Sequence, residues 1–81
     1  MSRRAKLFET LRSNPKDVRV ADACKMAELL GFEEKGGKGR HRVFARAGEM
    51  TILNFQERGD GRIPTYQAKQ LIAMVEKYGE P

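Results

Sequence analysis

The chain has no tryptophan, a single cysteine and a single histidine, and aromatic residues make up only 7% of it. The lone cysteine, Cys24, rules out an intramolecular disulfide. Between Ala23 and Ala27 in a helical pattern, it reads as a buried structural thiol. One histidine and one cysteine without paired spacing cannot build a zinc site. The acidic residues form no cluster of the kind that cages magnesium or calcium, so no metal is expected. Also missing is any apolar run long enough for a signal peptide or a membrane span, and a cytoplasmic protein is expected. Eighty-one residues hold one domain, 1–81, built on one core. A deep pocket for a large cofactor needs more scaffold than this, and no cofactor is expected. Neither a low-complexity tract nor an internal repeat is present.

What the chain does have is positive charge: the formal net charge is +5 and the pI about 9.7. An anionic partner follows as an expectation, with nucleic acid foremost. The distribution matters more than the total. Lys35, Lys38, Arg40, Arg42 and Arg46 lie within one segment that holds no acid, and Arg3, Arg4 and Lys6 open the chain. Acids gather elsewhere, at Asp17, Asp22, Glu28, Glu33 and Glu34.

Hydrophobic periodicity gives the elements. Arg3 to Ser13 reads as an amphipathic helix with Leu7, Phe8 and Leu11 on one stripe, ended by Asn14-Pro15. A second helix runs from Ala21 to Leu30, with Asp22 at its positive end and Gly31 as its stop. The period then changes. Phe32–Lys35 reads as a first strand, Arg40–Ala45 as a second and Met50–Phe55 as a third, rich in β-formers. Ala47-Gly48-Glu49 reads as a tight turn. A final helix opens at Pro64 and carries the stripe Ala68, Leu71, Ile72, Val75 and Tyr78. The predicted fold is α+β, in the order α-α-β-β-β-α: a three-stranded antiparallel sheet with its helices on one face.

His41 is the residue that bears chemistry. It follows the basic glycine loop Gly36-Gly37-Lys38-Gly39 and stands between Arg40 and Arg42. The loop lacks the spacing of a nucleotide-binding P-loop and leads into a strand, but its glycines let a nucleic-acid backbone come close. Metal-free RNA cleavage needs a base for the 2′-hydroxyl proton or an acid for the departing oxygen, with cations to hold the phosphate. Histidine is the natural proton carrier near neutral pH. Lys35, Lys38, Gly39, Arg40 and Arg42 are the candidate phosphate contacts, and Phe44, alternating with His41, is assigned to the core.

The run Gly39-Arg40-His41-Arg42-Val43-Phe44 resembles the glycine–small residue–histidine–strand motif of the HicA family of bacterial toxins. The segment from Asn14-Pro15 through Cys24 to Leu30-Gly31-Phe32 is similar to a branch of that family. So is Ile63-Pro64-Thr65-Tyr66-Gln67 at the start of the last helix, and together the three cover most of the chain. The resemblance implies a double-stranded-RNA-binding-domain-like fold and a metal-independent endoribonuclease that cleaves messenger RNA. It implies His41 as the catalytic general acid/base, Gly39 as the turn before it, and a HicB-like antitoxin as protein partner. Two departures stand out. The family's usual serine before the histidine is here Arg40, which would clamp phosphate instead. A further histidine that many members carry downstream is absent, so a second proton carrier would be Tyr66, a lysine or water.

A reading of another class shares every basic residue: a non-catalytic RNA-binding module in which His41 is incidental. A DNA-binding regulator is disfavoured, since no helix carries the polar face of a recognition helix.

Overall fold

The computed structural model describes residues 3–37 and 41–78. Its elements are α1 (Arg3–Ser13), α2 (Val20–Leu29), β1 (Glu33–Gly36), β2 (His41–Ala45), β3 (Leu53–Gln56) and α3 (Thr65–Tyr78). The order is the predicted one, and the strands form an open antiparallel sheet in the order β1-β2-β3.

Each helix forms where the apolar stripe demands it. In α1, Leu11 is buried and Leu7 and Phe8 pack against the core. The helix ends where the Ser13 hydroxyl turns back to the Glu9 carbonyl, at 2.8 Å, and Pro15 follows. No capping side chain opens α2; extended Arg19 does, in an isolated β-bridge with Arg62. Val20 N–H donates to the Gly61 carbonyl and Ile63 N–H to the Val18 carbonyl, both at 3.0 Å. These bonds tie the entry of α2 to the entry of α3. Ala23, Cys24, Met26 and Ala27 of α2 are buried, and desolvation raises the Cys24 thiol pKa, as expected of a structural cysteine.

The sheet has one covered face. Phe44 of β2 and Leu53 and Phe55 of β3 are fully buried beneath the helices, with the Phe44 and Phe55 rings 5.7 Å apart. Removing a ring from such a site costs about 3–5 kcal/mol. Alternation sends the neighbouring side chains the other way. His41 pairs with Gln56 and Val43 with Asn54, so these four share the opposite, uncovered face. β1 is exposed along its whole length, and its charged residues blunt a free sheet edge.

The second helix lies one residue earlier than expected, and two strands are displaced for visible reasons. The first strand is shifted by one residue, because Phe32 turns into the core, where its ring meets Tyr78 edge-on at 6.3 Å. The third strand begins at Leu53 rather than Met50. Glu49 closes a turn onto the Arg46 carbonyl and its carboxylate accepts from Lys77, Tyr78 and the Thr51 N–H. That anchorage draws Met50, Thr51 and Ile52 off the ladder, and Met50 is left 96% exposed. No helix of the described residues is long and apolar enough to cross a membrane.

Candidate nucleic-acid interface

The uncovered face of the sheet carries His41 at its β1–β2 loop end. β-pairing sets His41 opposite Gln56, and Asn54 two pairs further along, opposite Val43. The exposed imidazole reaches diagonally across the strands: Nε2 lies 2.9 Å from Asn54 Oδ1. An amide oxygen only accepts, so the ring carries a proton on Nε2 and, when neutral, a lone pair on Nδ1. Among the described residues Nδ1 has no hydrogen-bond partner. The bond to Asn54 sets the tautomer and the orientation of the ring.

The backbone beside it is crowded. Gly37 has φ of +107°, and a Cβ there would come within 2.0 Å of the His41 carbonyl oxygen. Only glycine lets the loop pass so close to the start of β2.

The predicted phosphate contacts divide. Lys38, Gly39 and Arg40 lie outside the described residues. Lys35 sits at an irregularity in the β1–β2 register and its ammonium meets Glu33 at 3.2 Å. Arg42 points to the face opposite His41, where its guanidinium forms a two-pronged pair with Glu34, Nη2 to Oε1 at 2.8 Å. Each partner stabilises the other's charge: Arg42 holds the Glu34 carboxyl below its usual range, and Glu34 raises the Arg42 pKa further. Arg46 is structural: Nε donates to the Leu30 carbonyl at 3.0 Å, and the guanidinium lies 3.9 Å over the Tyr78 ring. The linear segment looked free of acids; Glu33, two residues before Lys35, and Glu34, on the strand beside Arg42, supply them.

Two polar residues of this end of the molecule escaped the sequence reading. Asn54 is one; its signal is the alternation Asn54–Gln56 against the apolar Leu53–Phe55, legible once the register with β2 is known. Gln67 is the other. It is 3% exposed, and its Oε1 accepts the Gln56 N–H at 2.9 Å. The loop leaving β3 brings two more arginines, each held by acids: Arg58 by Asp60, and Arg62 by Asp17 and Asp60.

Among the described residues no group of three or more histidines, cysteines, aspartates or glutamates is placed to hold a metal ion. Compared with protein-family models, with curated proteins and with solved structures, the chain has no significant match.

Proposed function

We propose that this protein is a metal-independent endoribonuclease of the HicA toxin type, acting on messenger RNA, with a fold of the double-stranded-RNA-binding-domain kind. The observation that carries this reading is the exposed His41 imidazole, held through Nε2 by Asn54 on the sheet face that no helix covers. The neutral ring takes the 2′-hydroxyl proton at Nδ1. The 2′-oxygen then attacks the adjacent phosphorus, the bond from phosphorus to the 5′-oxygen breaks, and that oxygen leaves with a proton taken from water. Asn54 steadies the imidazolium by accepting from Nε2–H throughout, so it serves as a positioning residue. Lys35 and the basic loop with Lys38, Gly39 and Arg40 hold phosphate and offset its growing charge. Arg42 contributes only after release from Glu34. An acidic, HicB-like antitoxin would silence the enzyme by covering the same face.

Induced expression in a bacterium, wild type beside His41→Ala, tests the proposal through growth and the integrity of several messenger RNAs. Arrest and fragmentation by the wild type alone, with both proteins equally folded, are the expected result. Purified wild type should also cleave RNA in the presence of a chelator. Harmless wild type that still binds RNA would replace the enzyme with the non-catalytic binding module.

A further inference from the structure

Burying an amide is costly unless both its ends are bonded. Gln67 is the only polar residue that is buried as a whole among the described residues, and both ends of its amide are used. Oε1 accepts from the backbone N–H of Gln56, the residue paired with His41. Nε2 donates to the Tyr66 hydroxyl at 3.2 Å. The amide thus links the strand end opposite the histidine to an aromatic ring on the first turn of α3. Tyr66 is 66% exposed, much the most exposed aromatic of the described residues. A tyrosine that served packing would bury its ring; this one fixes its hydroxyl and leaves the ring to solvent.

Next to it charge is free. Lys69, one turn along the same face of α3, is exposed and has no ion-pair partner among the described residues. An exposed aromatic beside an unpaired cation, on a chain of net charge +5, matches a nucleotide: base on the ring, phosphate on the ammonium. A protein ligand would use the ring equally well but gives no reason for the cation or for the tie to the residue paired with His41.

We infer that Tyr66 is a stacking platform for an unpaired base of the RNA whose phosphate lies at His41, and that the substrate is therefore single-stranded at this point. The inference rests on the RNA-cleaving function proposed above. Gln67 pre-orders the ring, so little freedom is lost when the base arrives. Paired bases are already stacked on their neighbours, and a duplex does not present one to the ring.

The absence of tryptophan makes the test direct: in a Tyr78→Phe chain, Tyr66 is the sole emitter. A 2′-O-methylated single-stranded oligoribonucleotide, which lacks the attacking hydroxyl, binds without being cut. Binding should quench Tyr66 emission, and a duplex of the same sequence should not. By fluorescence anisotropy, Tyr66→Ala should weaken single-strand binding roughly tenfold or more, as loss of one stacked base does, while Tyr66→Phe stays within about threefold. Unchanged emission with undiminished Tyr66→Ala binding would overturn the platform and leave the RNA function standing. Equal losses in Tyr66→Phe and Tyr66→Ala would assign the contact to the hydroxyl and overturn stacking. Equal quenching by the duplex would overturn the single-strand requirement. If the wild type binds neither RNA, the proposed function falls and the platform with it. The quenching needs no change at Tyr66, so it reports even if Tyr66→Ala folds poorly.

Discussion

Gly37 and His41 approach so closely that a methyl group on the glycine would occupy the space of the histidine carbonyl oxygen, 2.0 Å away. Gly37→Ala therefore meets two penalties, a left-handed φ of +107° and a backbone clash. Gly48 supplies the control, with φ of +83° and open space around its missing Cβ. Gly48→Ala should cost about 1 kcal/mol from conformation alone, and Gly37→Ala up to about 3 kcal/mol. In a chain of this size the difference is up to roughly 8–16 °C in Tm, by a rule of about 4–8 °C per kcal/mol. Equal thermal shifts for the two variants would contradict the close approach.

The helices were legible because each element's apolar stripe and its breakers agree: Leu7, Phe8 and Leu11 before Asn14-Pro15, and Ala68, Leu71 and Val75 after Pro64. The strands were legible in number but not in register. Met50, Thr51 and Ile52 have strand propensity, yet the strand begins only where β2 offers a partner, at Leu53 opposite Phe44. Propensity cannot see that constraint. His41 stood out by residue type alone, and the burial of Phe44 on the other face followed from alternation. Asn54 and Glu34 did not stand out, because each matters through a residue across the sheet, 13 and 8 positions away respectively. The same register pairs Arg42 of the acid-free segment with Glu34, while Lys35 is paired within its own strand by Glu33, two residues before it.

Asn54 should matter to rate. Asn54→Ala frees the ring to rotate and should slow RNA cleavage about ten- to hundredfold, the scale of a misplaced catalytic group. Asn54→Asp keeps an acceptor for the Nε2 proton and should recover most of the wild-type rate. Equal losses in Asn54→Ala and Asn54→Asp would show that residue 54 does not act by accepting from His41.

Arg42 faces away from His41 and spends its fork on Glu34. Arg42→Ala should therefore leave RNA affinity and its salt dependence close to wild type, in contrast to the expectation drawn from the sequence. Glu34→Gln removes an anion and releases the guanidinium, so affinity should rise and the salt slope steepen by roughly one phosphate contact. Titrations at several salt concentrations read both effects. A marked loss of affinity and slope in Arg42→Ala would mean that RNA draws Arg42 out of the Glu34 pair.

Glu49 ties the β2–β3 connection to the end of α3. Lys77 donates to its carboxylate at 2.8 Å, the Tyr78 hydroxyl donates to the same oxygen, and the Thr51 N–H donates to the other at 2.9 Å. These bonds, that from Lys77 foremost, hold its pKa down at about 2, against an ordinary 4.5. A carboxyl whose folded pKa is depressed stabilises the fold fully above its unfolded pKa, and that stability is lost as pH falls through the folded value. The denaturation midpoint should accordingly be flat above pH 4.5 as far as Glu49 is concerned and fall between 4.5 and about 2. Glu34 adds to the same limb, since its carboxyl is also held low by Arg42. Glu49→Gln should lower the midpoint at neutral pH and make the acid limb shallower, with the Glu34 part remaining. Were Glu49→Gln to keep the full wild-type slope, the carboxylate would not be the anchor that pulls Met50 to Ile52 off the sheet.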